Sequence, residues 1–148
     1  MRKIIMGVAA AGFVAASAYF FMQPNATAAD VTLYKNPQCG CCEEYAKYLR
    51  QNGFAVTVKP THDLNVMSRE AGIPDDFQGC HLAFLDDYVI SGHVPIATVN
   101  KLMSERPDIK GVTLPGMPNG SPGMSGQKSG PFQIYEVGPA EPKLYAVE

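Results

Sequence analysis

Three cysteines fall within four positions, Cys39-Gly40-Cys41-Cys42, and a fourth stands apart at Cys80. Sulfur at that density points to reactive or metal-binding chemistry, because closely spaced thiolates repel one another unless a cation or a disulfide bond lies between them. Cys39 and Cys42 form a C-x-x-C pair, the spacing of dithiol/disulfide redox sites, and Cys41 adds a thiol that such a site does not need. Thiolates are also soft ligands that favour Cu(I), zinc and iron–sulfur clusters. Three histidines (His62, His81, His93) and two methionines (Met117, Met124) are further ligands on offer.

Apolar periodicity shows which elements must carry these side chains. Val31 to Lys35 reads as a strand that runs into the turn composition Asn36-Pro37-Gln38-Cys39-Gly40. Cys42, Tyr45, Ala46 and Leu49 then recur at i, i+3, i+4 and i+7, an amphipathic helix that Asn52-Gly53 ends, and Phe54 to Lys59 reads as a second strand. The cysteines therefore sit at a strand-to-helix turn, where unpaired N–H groups and the helix dipole favour thiolate over thiol.

Beyond this unit, Asp63 caps a short helix with Leu64, Met67 and Ala71 that stops at Gly72-Ile73-Pro74. Leu82 to Leu85 and Tyr88 to Ile90 flank Asp86-Asp87 as a hairpin. A third helix starts with Pro95 in its first position, presents Ile96, Val99 and Leu102, and stops before Pro107. Residues 111 to 131 hold ten Gly or Pro in twenty-one positions, which predicts an irregular segment, neither helix nor central strand. Phe132 to Val137 reads as a strand, followed by a frayed tail after Pro139. The expected fold is α/β and thioredoxin-like, with a mixed central sheet flanked by helices. Residues 29–110 form the metal-binding domain, and 111–148 a Gly/Pro/Met-rich extension packed on it.

Arg2 and Lys3 precede an apolar run from Ile4 to Met22, and Ala26-Thr27-Ala28 follows the helix-breaking Pro24, the pattern of an export signal over residues 1–28. The run is also about the 20 residues that span a bilayer, so an N-terminal anchor is the alternative. Cleavage would leave 120 residues, with ten basic against fourteen acidic side chains and all four cysteines. That acidic balance offers no footprint for nucleic acid, and after cleavage no membrane segment remains.

In a thioredoxin-like order, the strand that opens the hairpin begins at the same sheet edge as the C-x-x-C turn, where such folds usually carry a cis-proline. Cys80 stands at that place, so all four sulfurs are expected to converge. His93, at the end of the returning strand, should approach the same edge, with His62 also near and His81 turned away by strand alternation. Three readings follow. Two disulfides in an exported domain suit the even count but not adjacent Cys41 and Cys42. An oxidoreductase using Cys39 and Cys42 as catalytic pair leaves Cys41 and Cys80 unexplained. Metal binding by Cys39, Cys41, Cys42 and Cys80 uses every sulfur, and thiolates shared among several Cu(I) ions suit the crowding better than one tetrahedral zinc, which remains a surrogate. Met117 and Met124 read as ligands or equally as loop side chains packed on the sheet.

Cys39-Gly40-Cys41-Cys42, Gly79-Cys80-His81, Gly92-His93-Val94-Pro95 and Met117 to Met124 together resemble the CopG family of small exported copper-resistance proteins, across nearly the whole mature chain. The resemblance implies periplasmic copper handling through a cysteine-bridged cluster of several Cu(I) ions. Cys39, Cys41, Cys42 and Cys80 would be its ligands, and His93 a candidate ligand. It also implies Cu(I)/Cu(II) interconversion, the activity of a copper oxidoreductase, with other periplasmic copper-handling proteins as partners. A chaperone or buffer without turnover is the alternative.

Overall fold

The computed structural model describes residues 28–148. The export segment expected over residues 1–28 lies, apart from Ala28, outside the described residues. Strand β1 (Asp30–Lys35) leads into helix α1 (Gly40–Gln51) and strand β2 (Ala55–Pro60). Helix α2 (Leu64–Glu70), a 3-10 turn (Asp75–Phe77), the hairpin β3 (His81–Leu85) and β4 (Tyr88–Ser91), and helix α3 (Ile96–Glu105) follow. Three further strands close the chain: β5 (Gly111–Thr113), β6 (Gln133–Val137) and β7 (Leu144–Val147). They form one sheet in the order β2-β1-β3-β4-β5-β6-β7, parallel at β1/β2 and β4/β5 and antiparallel elsewhere.

Strand alternation divides the apolar side chains between two faces. Val31 and Leu33 of β1, Ala83 and Leu85 of β3 and Ile90 of β4 pack with Tyr45, Ala46 and Leu49 of α1 and Val99 and Leu102 of α3. On the opposite face Leu82, Val89 and Val137 meet Ile73, with Leu64 and Met67 of α2 beside them. Each fully buried Leu or Ile contributes about 1.5–3 kcal/mol, so this two-sided burial is what holds the sheet edge that bears the cysteines. Among the described residues no helix is long and apolar enough to cross a membrane.

Four local expectations are corrected. Gly111–Thr113 is a central strand although it opens the Gly/Pro-rich segment: Gly111 lies opposite Val89, and its missing side chain permits the close approach that a breaker reading overlooks. The tail after Pro139 is not frayed, because Leu144–Val147 pairs with β6 across a bulge. Pro95 stands one residue before α3, in extended conformation, rather than in its first turn. Asp63 occupies the cap position of α2 but makes no side-chain capping bond.

Candidate metal centre

The turn between β1 and α1 is built before any cysteine side chain is considered. Cys39 N–H donates to the Asn36 carbonyl at 3.0 Å, and Gln38 N–H donates to Asn36 Oδ1 at 3.0 Å. Beneath it the Lys35 ammonium, whose residue is only 3% exposed, donates to the carbonyls of Asn36, Pro37 and Cys39 at 3.2–3.3 Å and pairs with Glu43 at 3.1 Å. Cys39 caps α1, while Cys41 and Cys42 lie in its first turn, Cys42 fully buried and Cys39 and Cys41 half-buried.

Cys80 reaches this turn through the sheet. β3 runs antiparallel to β1 with His81 opposite Lys35, which brings the residue before β3 beside the end of β1. Gly79 lies against the Gly92 backbone, and its N–H donates to Ser91 Oγ at 2.9 Å, which fixes the approach to β3. The four sulfurs of Cys39, Cys41, Cys42 and Cys80 all lie within 4.8 Å of one another, as the topology led us to expect. Cys39 and Cys42 are joined by a disulfide, and Cys41 and Cys80 are free thiols, so the two-disulfide reading does not hold. Sγ of Cys41 is 3.4 Å from Cys39 and 3.9 Å from Cys80, and Sγ of Cys42 is 3.4 Å from Cys80.

Of the three histidines, His93 comes to the cluster as expected, with Nε2 3.0 Å from Cys80 Sγ. Its Nδ1–H donates to the Pro122 carbonyl at 2.6 Å, which leaves the Nε2 lone pair directed at the sulfur. Pro122 is brought there by the Gly/Pro-rich segment: Gly123 lies so close to the backbone of Glu44 and Tyr45 that a Cβ would stand 2.7 Å from Tyr45 N. His81 departs from the expectation that alternation would turn it away. Its ring enters the core, stacked on Tyr45 at 4.5 Å, yet Nδ1 stands 3.6 Å from Cys80 Sγ, and Nε2 has no hydrogen-bond partner among the described residues. Alternation placed the side chain on the inner face, and the inner face is where the site lies. His62 is exposed and joins no ligand cluster among the described residues. Met117 is 42% exposed, and Met124 is half-buried beside Gly123.

Burial sets the protonation states. The Cys80 thiol is pushed up to about 12, first by burial and then by the neighbouring Cys41. Burial and the nearby His93 push His81 down to about 3, and burial lowers His93 against the opposing pull of the Pro122 carbonyl. Both imidazoles are therefore neutral near pH 7 and keep a free lone pair. Tyr45, raised by burial, stays a phenol and donates to the Val94 carbonyl at 2.8 Å.

The buried neutral histidine makes the metal-free fold acid-sensitive. His81 takes a proton near 6.5 when unfolded but only near 3 when folded, so the unfolded chain binds more protons between those values and stability falls as pH drops through that window. By about pH 5 the loss from His81 alone should be about 2 kcal/mol. Urea unfolding at about pH 7 and about pH 5 measures it, and equal midpoints at the two values contradict it.

Lysine 35 and the Pro122 carbonyl were not anticipated from the sequence. The signal for the former was present: Val31, Leu33 and Lys35 share the inward phase of β1.

A family model described as a protein of unknown function, DUF411, matches residues 77–124, the stretch that holds Cys80, His81, His93 and Pro122. Two solved structures named copper resistance protein copG, forms 2 and 1, are similar to the chain with TM-scores of 0.75 and 0.74. Each is 32% identical, over 82% of this chain and 98% of the other. A search of curated proteins finds no match. Fold and site define a thioredoxin-like protein organised around a cysteine cluster at a helix N-terminus. The chain belongs to the CopG family.

Proposed function

We propose that the protein is exported to the periplasm after loss of residues 1–28 and there binds Cu(I) through Cys39, Cys41, Cys42 and Cys80, as part of copper resistance. The observation that carries this reading is the convergence of four sulfurs within 4.8 Å, in a chain 32% identical to copper resistance proteins. The donor set fits the cargo. Four soft sulfurs favour Cu(I), and a cation that replaces the proton of a thiol held as high as Cys80 gains a strongly basic sulfur ligand. His93 Nε2 adds a nitrogen ligand on the same sulfur's flank. Crowded thiolates bridging several ions suit this spacing better than a single tetrahedral site, with zinc as a surrogate.

The disulfide divides the site into two capacities. Reduced protein offers four thiolates, whereas the Cys39–Cys42 bridge leaves Cys41 and Cys80. Since thiolates are the ligands, oxidation should lower Cu(I) uptake by about half or more. Equilibrium dialysis against a Cu(I) chelator, with reduced and oxidised protein side by side, measures this, and equal uptake by both forms defeats the four-sulfur reading.

The same bridge allows turnover. Closing it from the two thiols releases two electrons, which two Cu(II) ions take up on becoming Cu(I), and two protons go to solvent; opening it by two Cu(I) ions is the same step reversed. Turnover would hand copper on to other periplasmic copper-handling proteins, whereas a chaperone or buffer would bind without it. The disulfide itself favours a second reading, a thiol-disulfide oxidoreductase with Cys39 and Cys42 as the catalytic pair. That reading requires insulin reduction that Cys39→Ser abolishes and copper chelators leave untouched.

A further inference from the structure

Two contacts bear on the reactivity of Cys80, the cysteine that lies outside the Cys39 to Cys42 segment. Its Sγ lies 3.4 Å from Sγ of Cys42, one half of the Cys39–Cys42 disulfide. The same sulfur is 3.0 Å from His93 Nε2, and His93 Nδ1–H is committed to the Pro122 carbonyl. A thiol within reach of a base, with the base held in one tautomer by a third group, is the arrangement that activates nucleophilic cysteines. We propose that in the metal-free, oxidised protein Cys80 is an internal nucleophile that exchanges with the Cys39–Cys42 disulfide, moving the bridge inward to Cys42–Cys80 and releasing Cys39.

The step balances without an outside oxidant or reductant. The Cys80 S–H proton passes to His93 Nε2, and the Cys80 sulfur, which lies off the axis of the Cys39–Cys42 bond, swings into line with it and bonds to Cys42 Sγ. The Cys39–Cys42 bond breaks, Cys39 leaves with the electron pair, and the proton held by His93 then returns to it directly or through water. One disulfide replaces another. Cys39 suits the leaving role because it caps α1 and makes no side-chain capping bond, so its thiolate is released beside unpaired helix N–H groups. Cys41 is the rival nucleophile, 3.4 Å from Cys39, but a Cys39–Cys41 bridge would close over Gly40 alone. After the exchange, Cys39 and Cys41 are both reduced, and Cys39 becomes the place where a thiol reagent or a reducing partner enters the site.

Trapping tests this on copper-free protein carrying one disulfide, independently of whether copper binds. A time course with N-ethylmaleimide at neutral pH, followed by peptide mass spectrometry, should show Cys39 labelled alongside Cys41 and a Cys42–Cys80 linked peptide. Cys80→Ser should abolish Cys39 labelling, and Cys41→Ser should leave it. His93→Gln should slow it at least about tenfold while Cys41 labels at the wild-type rate. Cys39 that stays protected in the wild type, or that labels equally in Cys80→Ser, overturns the proposal. A variant that keeps Cys80 gives a second route: Cys39→Ser treated with diamide should form the Cys42–Cys80 bridge, and its absence from that product equally overturns the exchange.

Discussion

Lys35→Met is expected to destabilise the protein by about 3 kcal/mol, seen as a lower urea midpoint at neutral pH. The ammonium is almost entirely out of water, and it is the shared donor to three carbonyls of the turn that carries Cys39. A thioether of similar length fills the space but donates nothing, so these carbonyls lose a charged partner inside the fold. Glu43, whose side chain is 54% exposed, simply returns to solvent. Glu43→Gln should therefore cost less than about 1 kcal/mol, the range of exposed ion pairs. Equal midpoints for Lys35→Met and the wild type would show that the ammonium does not organise the turn.

Gly111→Ala should be at least as damaging, about 3 kcal/mol or more. A Cβ at this position would stand 2.7 Å from the backbone nitrogen and the carbonyl carbon of Val89, and strand backbone cannot rotate aside as a side chain can. β5 has three residues and, among the described residues, is the strand that joins β4 to β6, so opening this seam detaches β5–β7 from the half that carries the cysteines. The variant should be cut by protease within residues 114–131 much faster than the wild type. A wild-type cleavage rate and midpoint would refute the packing argument.

The parts of the fold that were legible in the sequence are those governed by local periodicity. Cys42, Tyr45, Ala46 and Leu49, spaced as one helix face, are the buried residues of α1, and Asp86-Asp87 does separate a hairpin. What failed depends on partners distant in the chain. Gly111 reads as a breaker until Val89 is opposite it, and Leu144–Val147 is a strand only because β6 offers an edge. The site divides in the same way. Chain order alone placed Cys80 and His93 beside the cysteine turn. The role of Pro122 depends on a carbonyl that any residue carries, and on Gly123 pressed against α1, so no side-chain type announces it. His81 shows where alternation misleads: as the residue after Cys80 it is expected to turn away, yet its ring lies on the inner face with Nδ1 3.6 Å from Cys80 Sγ.

Cys80 completes the proposed four-sulfur Cu(I) site with Cys39, Cys41 and Cys42. Anaerobic titration of the fully reduced protein with Cu(I), in the presence of a competing chromophoric chelator, tests it directly. Saturation is expected at more than one Cu(I) per chain, with a lower stoichiometry in Cys80→Ser. A stoichiometry near zero, or one unchanged by Cys80→Ser, would contradict it.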